Sequence, residues 1–285
     1  MTLRSGRDRL PNRMAMGAAL VFGLLGSSLI ASLILGGWRI LGEPRALANL
    51  LSNVWDPLAG HYGIGPFVVG TVVVSLLALV VSVPLALGTA VVVSQSVGRW
   101  VKESATQALN VLTAVPSVIF GWWGLQMVVP WVRTHAGGPG FSLLAAGLVL
   151  ALMVLPTLAL FFTQALARVP ETYREASLAL GGTPDRTLVR VILRCALPGL
   201  LNGLFVGVAR ALGETMAVQM VIGGNTLMPS GLRDPGATLT TQIITDMTVF
   251  PPGTRGHAVL DVMALILMIG MYLLVRLSER WGRLS

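Results

Sequence analysis

An arginine and a glutamate stand four residues apart inside an apolar stretch, Arg210 and Glu214 in Ala209-Arg210-Ala211-Leu212-Gly213-Glu214-Thr215-Met216-Ala217-Val218. On one unbroken helix this spacing puts both side chains on the same face. A guanidinium fork offers paired donors to two oxygens of a phosphate-like group. A carboxylate repels a bare oxyanion but accepts a hydrogen bond from the P–OH of hydrogen phosphate. Sulfate at neutral pH has no such proton to give. The pair suits a protonated oxyanion, and neutralising Glu214 should weaken a preference for phosphate over sulfate. The residues leave a second reading equally open, in which the two charges neutralise each other as a structural ion pair. Charges inside a bilayer cost several kcal/mol and face an interior or a wet cavity.

The surrounding elements are membrane elements. The 285 residues are 54% hydrophobic and 11% charged, with a mean hydropathy of +0.77, whereas soluble domains carry about 25% charged residues. A window of roughly 19 apolar residues crosses the hydrocarbon layer. Six such windows are read at 14–37, 67–94, 105–132, 142–166, 199–224 and 257–277. The expected fold is all-α, a polytopic membrane bundle of six transmembrane helices. Arg210 falls 11 residues after Gly199, roughly 16 Å deep in a layer about 30 Å thick. Pro84, Pro116 and Pro156 each remove a backbone hydrogen bond inside a window and are expected to kink it.

Basic residues set the orientation. Fourteen of the twenty Lys and Arg lie in the N-terminal segment, the second and fourth loops and the tail, five lie on the opposite side, and Arg210 is inside a span. Both termini are therefore expected in the cytoplasm of a multi-pass plasma (inner) membrane protein. The divisions are a cytoplasmic segment 1–13, a membrane domain 14–277 containing a cytoplasmic loop 167–198, and a cytoplasmic tail 278–285. The net charge of +8 is mostly this sorting signal, and no basic soluble face for nucleic acid is evident. The first window is too long for the core of a signal peptide and reads as a retained helix. Cys195 is the single cysteine, so no intrachain disulfide can form.

Two outer loops, 38–66 and 225–256, read as ordered connectors able to meet an external partner. Gly137-Gly138-Pro139-Gly140 is a turn. Asp261, near the outer end of the last window, reads as a cap or interfacial charge ahead of the alternative, a lining of the outer mouth. His61, His135 and His257 are widely separated and show no metal-ligand spacing. Trp38, Trp122, Trp123 and Trp131 suit interfacial anchors.

The loop 167–198 reads as two short helices with a sharp corner. Pro170 suits a first helical position, and the helix runs through Glu171, Tyr173, Glu175, Ala176 and Ser177 to Leu180. Gly181-Gly182 stops it. Thr183 caps the next helix, with Pro184 at its first position and Asp185 beside the positive end of the dipole. That helix leads through Val189 and Ile192 into the fifth span. A small-residue face on an exposed helix suits a groove on another protein.

The pattern Glu175-Ala176-Ser177, three residues, Gly181, then Val191, Leu193 and Pro198-Gly199 resembles the loop by which ABC-importer permeases hold their ATPase. Two positions depart from the pattern: Ser177 replaces the usual second Ala, and Arg194 stands where a proline is usual. The stretch 209–223 resembles the PstC family of phosphate permeases, as do Trp55-Asp56-Pro57, the run from Pro116 to Leu125, and Val154-Leu155-Pro156-Thr157. The resemblance covers the chain from about Val54 to the sixth window, and the first window matches in character only.

The resemblance implies a type I ABC importer permease with a cytoplasmic coupling helix. The implied function is the permease subunit of an ATP-driven, binding-protein-dependent inorganic phosphate importer, forming half of the pathway. It implies that Arg210, Glu214 and Thr215 line the path, and that Glu171, Glu175, Ala176, Ser177, Gly181 and Gly182 couple to the ATPase. The implied partners are a PstA-like second permease, a PstB-like ATPase dimer and an external PstS-like phosphate-binding protein. The chain has one lysine, Lys102, and no Gly-x-x-x-x-Gly-Lys-Ser/Thr loop. It is therefore expected to be no enzyme and to hold no cofactor, with ATP and Mg bound on the partner ATPase. Two alternatives stay open: a related importer of molybdate, sulfate or phosphonate, and a regulatory membrane subunit that senses phosphate.

Overall fold

A computed structural model describes residues 9–42, 46–95 and 98–282. Residues 1–8 of the N-terminal segment and 283–285 of the tail lie outside the described residues, as does Arg45. The chain begins with a long helix α1 (Arg9–Leu41), a short α2 (Ala46–Leu50) and a two-residue hairpin β1 (Trp55–Asp56) and β2 (His61–Tyr62). In the hairpin Trp55 pairs with Tyr62 and Asp56 with His61, antiparallel. Then follow α3 (Gly65–Gln95), α4 (Arg99–Ala114), α5 (Ser117–His135) and α6 (Leu143–Ala167). The loop after α6 carries α7 (Glu171–Ala179) and α8 (Pro184–Thr187). A wider π turn (Leu188–Ile192) joins α8 to α9 (Leu193–Gly213), which is followed by α10 (Met216–Ile222), α11 (Leu239–Asp246) and α12 (Arg255–Gly282).

Among the described residues, five helical stretches are long and apolar enough to cross a membrane: Ala15–Leu41, Gly65–Ser94, Leu143–Ala167, Pro184–Gly213 and Arg255–Arg280. A sixth crossing exists only if α4 and α5, bent by 88°, are taken together. The window 105–132 is thus not one straight span. Pro116 has no N–H to donate and forces the residue before it out of the helical region; Val115 is extended at φ −63°, ψ 127°. Across Pro84 and Pro156, by contrast, α3 and α6 each remain single helices. Neighbouring helices satisfy what an internal proline frees.

The core is built around α6. Its residues Ala145, Ala146, Val149, Leu150, Met153, Val154 and Leu158 are buried in one cluster with Val74, Ala78 and Ala86 of α3. An all-round apolar helix belongs in such a position. Glycine permits the closest approaches, since helices in a bilayer associate through small residues. A Cβ at Gly147 of α6 would collide with Leu77 of α3. Along α9, Gly199, Gly203 and Gly207 recur every fourth residue and face α6: a Cβ at Gly199 would lie 2.8 Å from the Ala165 Cβ, one at Gly203 2.9 Å from the Phe161 Cβ, and one at Gly207 would strike Leu158.

A second cluster joins the loops 38–66 and 225–256 to α1 and α12 through Ile40, Phe67, Leu239, Val259 and Met263. Trp55 meets Tyr62 and Phe67 edge-on at 5.7 and 5.1 Å. Asp261 lies on α12 against the bare backbone of Gly36 in α1, so it serves a helix–helix contact rather than a cap. Gly137, Gly138 and Gly140 all take left-handed φ in the α5–α6 turn.

Candidate functional site

The window expected at 199–224 is the part of the chain most changed by the tertiary structure. Its helix begins at Pro184 and ends at Gly213. Glu214 is extended at φ −74°, ψ 132°, and a new helix, α10, starts at Met216. Glu214 therefore does not share a helical face with Arg210, and no ion pair joins them. The break is sustained by hydrogen bonds. Glu214 Oε1 accepts the Ala217 N–H at 3.1 Å, which caps the positive end of α10. Thr215 Oγ1 donates to the Gly213 carbonyl at 3.5 Å, and the Glu214 carbonyl accepts from Thr240 Oγ1 of α11 at 2.9 Å.

Arg210 occupies the last turn of α9. The glycine stripe seats that helix on α6 and leaves Arg210 half-buried. Its Nε is buried and has no hydrogen-bond acceptor from the protein. A buried charged donor left unserved is costly, and anions are what guanidinium groups bind most strongly. Glu214 and Thr215 are also half-buried, so the three residues named from the sequence gather at one break, though not as a helical i, i+4 pair.

Three more polar residues join them that the sequence did not single out. Gln219 on α10 donates through Nε2 to Thr245 Oγ1 at 3.3 Å, and its Oε1 is buried without a partner. Thr240 and Thr245 come from α11, which is held in place at both ends. Thr238 and Thr241 form a reciprocal capping box at its start, and the Leu239 N–H donates to Thr71 Oγ1 of α3 at 2.9 Å. At its end burial raises the Asp246 carboxyl above its ordinary range, opposed by hydrogen bonds from Gln242 and Trp55. No spacing rule links Gln219 to Thr245, 26 positions away. A polar residue in an apolar run was the one available sign. The α9 glycines, at every fourth position, carry a local signal in the sequence.

In the loop 167–198, α7 buries none of its residues. It starts at Glu171, with Pro170 as the capping residue before it rather than at the first helical position. Glu171, Glu175 and Ala176 are exposed and Ser177 is half-buried. Leu180 is 90% exposed. The corner follows: Gly181 takes φ +82°, Gly182 N–H donates to the Ser177 carbonyl at 3.0 Å, and the Ser177 and Thr187 hydroxyls meet at 2.8 Å. Thr183 caps α8 by accepting from Arg186 N–H at 3.4 Å. A groove of about 600 Å³ beside the corner is lined by Tyr173, Ala176, Leu180, Arg186, Arg190 and Val191.

Residues 82–282 match the family described as the inner membrane component of binding-protein-dependent transport systems. The chain belongs to that family. A protein of Bacillus subtilis named "Probable ABC transporter permease protein YqgH" is 32% identical over 95% of this chain and 89% of its own length. The phosphate transport system permease protein PstC of Pasteurella multocida is 30% identical over 93% of this chain and 91% of its own. Among solved structures, a chain of the MetNI methionine ABC transporter superposes with a TM-score of 0.57 at 22% identity, covering 78% of this chain and 93% of that one. Identity that low speaks for the fold alone. The all-α, multi-pass architecture of an ABC importer permease is established, and as a member of the binding-protein-dependent family the chain is a transport component.

Proposed function

We propose that this chain is the permease subunit of an ATP-driven, binding-protein-dependent importer of inorganic phosphate and forms half of the translocation pathway. One observation carries the reading: Arg210 holds a buried guanidinium donor without a protein acceptor where a membrane helix stops. Relatives named as phosphate permeases at about 30% identity support the choice of oxyanion. The termini and α7 face the cytoplasm. Glu171, Glu175, Ala176, Ser177, Gly181 and Gly182 form the surface and corner that seat a PstB-like ATPase, which holds ATP and Mg. A PstA-like permease completes the path, and a PstS-like protein delivers phosphate from outside.

The geometry supports a direct mechanical link. Pro184–Gly213 is one helical rod of 30 residues, about 45 Å long, with the ATPase-facing corner at one end and Arg210 at the other. The Ser177–Thr187 hydrogen bond fastens α7 to this rod. A push on α7 is thus delivered to the α9–α10 break, where Arg210, Glu214 and Thr215 line the path. Binding there must be weak enough to release the ion.

The test is ATP-dependent uptake of radiolabelled phosphate by proteoliposomes holding the chain with its partners, for wild type and Arg210→Ala. Uptake that needs ATP and the binding protein, and that collapses in the variant while the ATPase stays bound, supports the function and the site. Full uptake by the variant removes Arg210 from the path. Movement of another oxyanion in place of phosphate keeps the machine and overturns the substrate.

A further inference from the structure

The hydrogen bonds of α11 fix the orientation of one amide next to the break. Thr245 Oγ1 gives its single proton to the Thr241 carbonyl at 2.9 Å. Toward Gln219, 3.3 Å away, that hydroxyl can therefore only accept. The Gln219 amide must turn its NH₂ to Thr245 and its carbonyl Oε1 the other way. Oε1 is then an aimed acceptor, buried and without a protein donor. Among the described residues, four buried side-chain polar atoms lack a hydrogen-bond partner, and two of them flank the α9–α10 break: the Arg210 Nε donor and the Gln219 Oε1 acceptor.

The expected acceptor for a P–OH proton, Glu214, has one of its two carboxylate oxygens committed within the protein. Its Oε1 caps the Ala217 N–H. We infer that Gln219 is a specificity-determining residue of the anion path, accepting the P–OH proton of hydrogen phosphate while Arg210 binds the unprotonated oxygens. The inference rests on the phosphate-permease reading and assigns the discrimination within it. The chemistry favours a neutral acceptor. An amide carbonyl takes the hydrogen bond without adding a negative charge beside a dianion. An aprotic oxyanion such as sulfate brings only lone pairs to Oε1 and leaves it unserved, which lowers its passage by about tenfold relative to phosphate. Thr245 is the positioning residue: it touches no ion but sets which end of the amide is left free.

The experiment measures ATP-dependent uptake of radiolabelled phosphate and sulfate by the reconstituted complex carrying wild-type chain, Gln219→Met, Thr245→Val or Thr245→Ser. Gln219→Met keeps the side-chain length and removes the acceptor. The expected result is a fall in phosphate uptake and about a tenfold loss of phosphate-over-sulfate discrimination, with ATPase activity of the assembled complex retained. Unaltered rate and discrimination in Gln219→Met overturn the inference and leave the phosphate reading standing. A wild-type complex that moves no phosphate overturns the phosphate reading, and the inference falls with it. If Gln219→Met does not assemble, the exposed Thr245 decides. Discrimination lost in Thr245→Val and restored in Thr245→Ser supports the role, and discrimination unchanged in Thr245→Val overturns it.

Discussion

The hydroxyls of Ser177 and Thr187 lie 2.8 Å apart across the corner between α7 and α8, with Thr187 only 1% exposed. Ser177 is the position at which the loop departs from the usual small apolar residue, and the departure has a partner. Ser177→Ala leaves the Thr187 hydroxyl buried and unpaired, at a cost of about 1 kcal/mol. The expected outcome is faster amide exchange in α7 and α8 and fewer phosphates moved per ATP. Exchange rates equal to wild type would mean that Thr187 finds another acceptor and that the corner needs no latch.

The two corner glycines differ in what restrains them. Gly181 has left-handed φ but open space around it. Gly181→Ala therefore costs about 1 kcal/mol of backbone strain and nothing more. A Cβ at Gly182 would lie 2.7 Å from the Ser177 carbonyl oxygen and 2.9 Å from its hydroxyl, so Gly182→Ala must shift the corner itself. ATPase binding by the purified permease should fall further in Gly182→Ala than in Gly181→Ala. Equal binding by the two variants would remove the corner geometry from the docking surface.

Helix α9 depends on its glycine stripe. Gly203→Val pushes side-chain atoms into Phe161 and Phe162 of α6, an overpacking of about 1–3 kcal/mol. Thermal unfolding in detergent should drop accordingly, with Arg210 displaced and uptake lost. Gly213→Ala, whose Cβ meets nothing within 4 Å, is the matched control and should unfold close to wild type. A reversed order of stabilities would contradict the packing of α9 on α6.

Separating Arg210 from Glu214 separates their mutants. Glu214→Gln retains an oxygen able to accept the Ala217 N–H, so it should fold with a loss below about 1 kcal/mol. Glu214→Ala uncaps α10 and should cost about 1 kcal/mol. Arg210→Lys keeps the charge but not the planar fork, and should transport poorly while unfolding normally. Were the two residues an ion pair, Glu214→Gln would destabilise the protein as severely as Arg210→Ala; thermal unfolding of both decides this.

Asp246 gives the end of α11 a pH dependence whose sign follows from its raised pKa. The folded protein holds that proton to higher pH than the unfolded chain, whose carboxyl titrates near the ordinary 3.8. Stability from this group is therefore full below that value and falls as pH rises through the interval up to the raised value. Asp246→Asn keeps acceptors for Gln242 and Trp55 and removes the titration. Its unfolding temperature should depend less on pH in the mildly acidic range than that of wild type. Parallel pH profiles would place the titration elsewhere.

Much of this protein was legible along the chain because a bilayer makes local demands. A segment must be apolar over its whole length to cross lipid, so the windows around α1, α3, α6 and α12 needed no neighbour to define them. Capping is equally local, and Pro184 after Thr183, with two glycines before them, marked the corner between α7 and α8. The interrupted helices were decided by the tertiary structure. The apolar composition of 105–132 continues across Pro116, and only the packing of α4 and α5 turns that proline into an 88° bend. The stretch around Arg210 and Glu214 is apolar and helix-compatible throughout, so spacing alone put them on one face. The Ala217 cap and the Thr240 hydrogen bond end the helix between them. Gln219 acquires its orientation from a threonine 26 residues away, a contact that no local period encodes and that only the docking of α11 creates.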